Sequence, residues 1–146
     1  MDNEELFLMI DECIQHAQKA LTKEQKLNSF AMVLEENNTS RKIEVKQMDE
    51  DLRYEELLAI LRDEVKSNKI IAIALLANVS IPENFNSQFP HGIRLHIEEK
   101  AFEAENKLSA RLLYVPYQLF KAKDSDELHI QLHNPIPVGL ACEIFV

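Results

Sequence analysis

Three histidines and one glutamate are the side chains of this sequence whose types could do chemistry together. The alternating segment GIRLHIEEKAF carries the polar row of Arg94, His96 and Glu98, and the later segment ELHIQLHN carries His129 and His133. If the two segments paired as strands, the imidazoles and the Glu98 carboxylate could approach one another, and these groups form an ordinary zinc ligand set. One hypothesis is therefore a metal- or small-ligand-binding enzyme that uses this histidine face.

Strand geometry argues against a single metal ion on that face. Residues four apart on one side of a strand are separated by about 13 Å at a rise of ~3.3 Å per residue, so His129 and His133 cannot ligate one ion without a bend. Glu98 and Glu99 cannot form a carboxylate pair, because neighbours on a strand point to opposite faces. We therefore expect the polar row to face water, and we expect no catalytic residue, no metal site and no cofactor.

Glycine-dependent motifs for phosphate binding do not occur in this chain. Gly92 and Gly139 are its two glycines and they stand alone, so neither GxGxxG nor GxxxxGK[ST] is present. No serine lies in a G-x-S-x-G elbow. The sequence predicts neither the usual nucleotide-dependent chemistry nor hydrolysis through a covalent serine.

Charge limits the classes of partner. The 146 residues hold 25 acids and 16 bases, a net charge of −9, and no local basic patch is apparent. Such a chain repels nucleic-acid backbones and anionic lipid, so we expect no nucleic-acid partner and no membrane. The opening MDNEELFLMI lacks a signal-peptide pattern, and no window approaches the ~20 apolar residues of a membrane span, so we expect a cytoplasmic location.

Length and cysteine usage indicate a single domain whose cysteines are reduced. A chain of 146 residues matches the size of one domain, and we assign residues 1–146 to it. Cys13 and Cys142 have no metal-ligand spacing, and in a reducing compartment such cysteines are small buried hydrophobes.

Acids concentrate in one segment of the chain. The run contains seven carboxylates, Asp49, Glu50, Asp51, Glu55, Glu56, Asp63 and Glu64, against Arg53 and Arg62. We interpret it as the solvated face of a helix whose first-turn acids complement the helix dipole. The alternative is a docking surface, as in an acidic immunity-type protein that binds a basic toxin.

Hydrophobic periodicity predicts the elements. Residues 3–22 form an amphipathic helix, 29–48 a hairpin turning at NNTS, and 49–67 a second helix with Leu52, Leu57, Leu58, Leu61 and Val65 as its buried stripe. The uniformly apolar run at 69–81 predicts a central strand covered on both faces.

The rest of the chain predicts strands. GIRLHIEEKAF, KLSARLLYVPYQLF and ELHIQLHN are strand-like, and GLACEIFV is either a last strand or a tail. Pro116 lacks an amide hydrogen, so its strand must bulge, leave the ladder or lie at an edge. The order α-β-β-α-β-β-β, with room for further C-terminal strands, indicates an α+β fold with a mainly antiparallel sheet of five or more strands and two helices.

Two resemblances accompany this order. GIRLHIEEKAF followed by ARLLYVPYQLF resembles the C-terminal part of a family of small uncharacterised bacterial proteins, through Ile93, Arg94, Leu95, Glu98, Val115, Pro116 and Tyr117. The long connection KAFEAENK departs from that pattern, which has a short glycine turn. The element order alone is similar to roadblock and longin domains, which bind GTPases or assemble trafficking and motility complexes. Neither resemblance implies an activity for this chain.

Aromatic residues supply the remaining signal. They gather in the loop PENFNSQFPH and near the end of the long predicted strand, and long loops in compact domains are uncommon unless they bind something or cover an edge. The candidate partner-binding residues are Phe85, Phe89, Arg94, Arg111, Tyr114 and Tyr117. We expect a non-enzymatic domain that works by protein contact, as a homodimer or a small adaptor.

Overall fold

The structure is a computed structural model that describes residues 4–85, 87–100, 110–121, 123–124, 126–140 and 144. Along these residues two α-helices and seven strands follow the predicted order, so the α+β class is confirmed. Neither α-helix is long and apolar enough to cross a lipid bilayer. The KAFEAENK connection after Lys100, Cys142 and most of GLACEIFV lie outside the described residues.

The first helix and the hairpin form as their patterns predict. Helix α1 spans Glu4–Lys23 and buries one face at three- and four-residue steps, Leu6, Met9, Cys13, Ala17 and Leu21. It ends before Gln25, whose φ of 56° is left-handed. Strands β1 (Phe30–Glu35) and β2 (Ser40–Ile43) pair antiparallel, and Asn38, with φ 67°, supplies the left-handed residue of their turn.

The second helix differs from its predicted buried stripe at one position. Helix α2 spans Glu50–Glu64, and the Asp49 side chain caps it by accepting the Leu52 N–H at 3.0 Å. Leu52 was expected in the buried stripe, but it is 51% exposed, so that prediction is wrong. The buried positions of α2 repeat every four residues, at 53, 57 and 61, so Arg53 rather than Leu52 points inward beside Leu57 and Leu61.

The remaining strands complete one antiparallel sheet. They are β3 (Ile70–Ser80), β4 (His91–Glu99), β5 (Ala110–Lys121), β6 (Leu128–Leu132) and β7 (Ile136–Leu140). The order across the sheet is β2-β1-β3-β4-β5-β6, and β7 also pairs with β5. Strand β3 lies between β1 and β4 and is buried on both faces, which confirms that it is central.

The helices lie on opposite faces of this sheet. Helix α1 contacts β1, β3 and β6, so the sheet curls around it, and we name this side the concave face. Helix α2 contacts β1 and β3 on the other side, which we name the convex face. Alternate residues of the strands point to opposite faces and form two hydrophobic cores. One core lies against α1 and includes Leu76 and Leu95, and the other lies against α2 and includes Ile73 and Leu75.

Pro116 produces a bulge in the neighbouring strand. Residues 110–114 of β5 pair with β7, and residues 117–121 pair with β6. Between these two ladders, residues 115 and 116 of β5 lie opposite the three residues 133–135 that connect β6 to β7. Pro116 has no N–H to donate there, but its carbonyl accepts the His133 N–H at 2.9 Å. The predicted irregularity is present: the β4 ladder ends at Pro116, and residues 117–121 of β5 leave it and pair with β6.

Candidate functional site

The polar row of β4 does not face water. His96 is 3% exposed and Glu98 is 0% exposed, so the expected solvated face is wrong. The row does occupy the opposite side of β4 from Ile93, Leu95 and Ile97, as alternation requires. That opposite side is the convex face, which other parts of the chain cover at this point.

Glu98 is bonded by groups from different parts of the chain that the structure describes. Its carboxylate lies 2.5 Å from His96 Nε2, and the backbone N–H of Ile144 donates to its two oxygens at 3.0 and 3.2 Å. A group with no exposed surface cannot meet a substrate from solution. The contacts of Glu98 with His96 and Ile144 therefore hold residue 144 against β4, which is a structural role.

Arg94 ties β4 to α2. Its guanidinium carbon lies 5.1 Å from the centre of the Tyr54 ring, a cation–π distance. Its Nε is buried and has no hydrogen-bond partner within the described part of the chain. Arg94 is one of the candidate partner-binding residues, but one face of its guanidinium group already contacts the Tyr54 ring of α2.

The three histidines of the proposed histidine face do not meet. His129 stacks on Phe120 with ring centres 5.6 Å apart, whereas His133 stacks on Phe89 at 3.8 Å and 5°. Across the residues that the structure describes, no group of three or more His, Cys, Asp or Glu side chains is placed to hold a metal ion. The geometry that the histidine-face enzyme requires is therefore not found there.

The candidate partner-binding residues divide between the two faces. Phe85 packs on Tyr114 with ring centres 5.3 Å apart, and Tyr114 pairs with Arg94 across β4 and β5 on the convex face. Arg111 and Tyr117 occupy the other alternation of β5, on the concave face. These six residues do not form one continuous surface, and partner binding by any of them stays a prediction.

Two of the candidates are part of the packing. Tyr114 and Tyr117 are each 8% exposed. The Tyr117 hydroxyl donates to Asn78 Oδ1 at 2.8 Å, and burial raises the pKa of this phenol above its usual 10.0, against a smaller lowering by that hydrogen bond. Phe85 and Phe89 are half-buried and Arg111 is exposed beside Glu99, at 3.8 Å.

The acidic segment is partly neutralised. Asp49 caps α2, Glu50 accepts from Ser29 and Arg53, and Glu64 pairs with Arg41 at 2.8 Å. Asp51, Glu55 and Glu56 are exposed and have no ion pair within the described residues. The acidic surface that remains for a partner is these three carboxylates on the outer side of α2.

Sequence reasoning missed a terminal strand that, among the described residues, carries neither a charge nor a proline. Of the terminal strands, β2 (SRKI) carries Arg41 and Lys42 and β7 (IPVGL) carries Pro137, whereas β6 (LHIQL) carries no charged residue and no proline. Charged residues and prolines are the usual means by which proteins block pairing at an edge strand. Phe120, 45% exposed, adjoins β6. The composition of LHIQL was visible, but its position at the edge follows only from the topology.

A basic cavity was also missed, and the expectation of no local basic patch is wrong. The cavity holds about 370 Å³ between the end of α1, the chain leading into β1, strand β2 and the start of α2. Its basic lining residues are Lys19, Lys23, Lys26, Lys42 and Arg53. Lys19, Lys23 and Lys26 are close in sequence, but Lys42 and Arg53 come from β2 and α2, so the sequence alone does not show all five together.

Comparisons with family models, curated proteins and solved structures found no match to this chain. The two resemblances drawn from the sequence therefore stay predictions. Any function must be argued from the geometry of the described residues.

Proposed function

We propose that this chain is a non-enzymatic cytoplasmic protein-interaction domain that forms a homodimer through β6. The observation that supports the proposal is the terminal strand LHIQL, which has no charged residue and no proline and pairs with β5 alone among the described strands. A buried free thiol at Cys13, whose pKa is raised to about 12 mainly by burial, suits a reducing compartment.

Edge pairing between two copies accounts for the properties of this strand. A terminal strand has one row of backbone N–H and C=O groups without a neighbouring strand, and these groups pair readily with a second strand. Two copies of β6 can pair antiparallel about a two-fold axis, which is the commonest symmetry of soluble oligomers. The exposed ring of Phe120 would gain apolar contact beside the new pairing.

A lysine placed on β6 tests this dimer. Gln131 is exposed, so Gln131→Lys leaves the fold intact but brings like charges together across the two-fold axis. We expect the parent to have about twice the 16.9 kDa chain mass in light scattering at micromolar concentration. The variant should dissociate, with a dimer dissociation constant at least about tenfold higher.

Gln118→Lys is the matched control. Gln118 lies directly opposite Gln131 on β5, is also exposed on the same face, and lies on a strand whose side toward β6 is already paired. The control variant should remain dimeric. A parent that stays monomeric at all concentrations would refute the homodimer, and equal weakening by both substitutions would show face-to-face stacking in place of edge pairing.

The acidic immunity-type function is a second candidate. It is favoured by the free carboxylates Asp51, Glu55 and Glu56 beside the exposed side chains of Met48 and Leu52. Such a surface combines negative charge with apolar contact, which suits a basic protein partner. The histidine-face enzyme has no corresponding observation among the described residues.

A further inference from the structure

The basic cavity at the end of α1 concentrates positive charge on an acidic protein. It is lined by five of the chain's 16 lysines and arginines and by two carboxylates, Glu24 and Glu44, and Glu50 lies directly behind Arg53 and Ser29, which leaves a net charge of +2 against −9 for the whole chain. The carbonyl end of the α1 dipole opposes this by roughly half a charge, which is too little to reverse the sign. The cavity therefore attracts anions.

Three of its lysines are unengaged. Lys19, Lys23 and Lys26 are exposed and make no ion pair or hydrogen bond through the side chain with other described residues. In contrast, Lys42 pairs with Glu44 at 2.5 Å and lies 4.7 Å above the centre of the Phe30 ring. The free lysines give the cavity mobile point charges around its opening.

Arg53 gives the cavity a fixed cation. The residue is 4% exposed, and its Nη1 bonds Glu50 Oε2 at 3.2 Å. Its Nε is buried and has no partner among the described residues, although a buried guanidinium N–H without an acceptor is costly. Glu50 is in turn held by the Ser29 N–H and hydroxyl at 2.9 and 2.5 Å, so Arg53 is oriented rather than free to move away.

We propose that this cavity binds a small phosphate-bearing metabolite. The lysines supply point charges for phosphate oxygens, and the Arg53 guanidinium, held in place by Glu50, adds a fixed positive charge to the lining. A volume of about 370 Å³ lies within the range of small-molecule sites and admits a phosphorylated compound with a compact organic part. The site lies outside the β6 edge and does not depend on the homodimer.

Titration of the full chain with inorganic pyrophosphate tests the site. By isothermal titration calorimetry at about 0.1 M ionic strength, the parent should bind saturably with one site per chain. The variant Lys19→Gln with Lys23→Gln, which changes two exposed side chains, should bind at least about tenfold more weakly. Circular dichroism would show that this variant keeps the parent fold.

The matched control is Lys66→Gln with Lys69→Gln, which removes the same charge from two exposed lysines beyond the end of α2. Its affinity for pyrophosphate should equal that of the parent. Equal loss in both double variants would show non-specific charge attraction and would overturn the site, as would a parent without saturable binding. Citrate that binds as tightly as pyrophosphate would overturn the assignment to phosphate.

Discussion

At the scale of single residues, Glu98 combines complete burial with hydrogen bonds from two distant parts of the chain. His96 bonds its side chain from the same strand, and the Ile144 N–H donates to it from beyond β7. A buried carboxylate is costly unless its oxygens are paired, and here Oε2 is bonded to His96 and Oε1 accepts from the Ile144 N–H. Removing it would leave a ring nitrogen and a backbone N–H without that acceptor.

We predict that Glu98→Ala lowers the free energy of unfolding by about 3 kcal/mol, because it leaves buried groups unsatisfied. Glu98→Gln should cost less, since its amide oxygen still accepts one bond. Glu99→Ala is the control, because Glu99 is half-buried on the opposite face, and it should cost within ~0.5 kcal/mol. Urea unfolding measures all three, and equal stability of the two alanine variants would contradict the structural role of Glu98.

At the scale of elements, β3 is the strand on which both cores depend. Ala72, Ala74 and Leu76 face α1, whereas Ile73 and Leu75 face α2. Strand β3 pairs with β1 on one side and β4 on the other. A change in its middle therefore affects both faces and both neighbouring ladders.

We predict that Ile73→Asp prevents folding. Ile73 has no exposed surface, and an unpaired charge at such a position costs several kcal/mol, a large share of the ~5–15 kcal/mol that stabilises a domain. Ser80→Asp, at the exposed end of the same strand, should leave the far-ultraviolet circular dichroism and the thermal midpoint near those of the parent. A native spectrum and a cooperative transition for Ile73→Asp would show that the strand is not central.

At the scale of the whole molecule, the two proposed sites lie toward opposite ends of the sheet. The cavity adjoins β1 and β2, and the dimer edge is β6. From β1 to β5 alone the sheet spans three strand spacings, about 14 Å. Helix α1 contacts β6 and also lines the cavity, but the side chains to be changed at the two sites are exposed and belong to different elements, so we expect independent effects.

We predict that the two functions can be removed separately. Gln131→Lys should dissociate the dimer and leave the pyrophosphate affinity unchanged, whereas Lys19→Gln with Lys23→Gln should weaken pyrophosphate binding and leave the dimer intact. Light scattering and calorimetry on both variants measure the two properties. A change of more than about threefold in the property that should stay constant would show that the sites are coupled.

The sequence by itself determined the helices, the first six strands and their order, whereas β7 (Ile136–Leu140) begins before the segment GLACEIFV that was considered as a last strand. Apolar spacing in residues 4–23, the uniform apolar run of β3 and the Asn-rich turn near Asn38 depend on local periodicity and backbone preference, and each of these elements formed as predicted. The inward position of Arg53 in place of Leu52 is the local feature that the pattern did not reveal.

Tertiary structure alone decided which polar groups are buried and where the charges collect. The alternation of β4 separated Arg94, His96 and Glu98 from the apolar side, but burial of that side depends on α2 and on residue 144, which are distant in sequence. The exposed edge of β6 and the basic cavity arise in the same way, from strand order and from the approach of separate elements. Local periodicity specifies which side of an element a residue occupies, whereas long-range packing determines what covers that side.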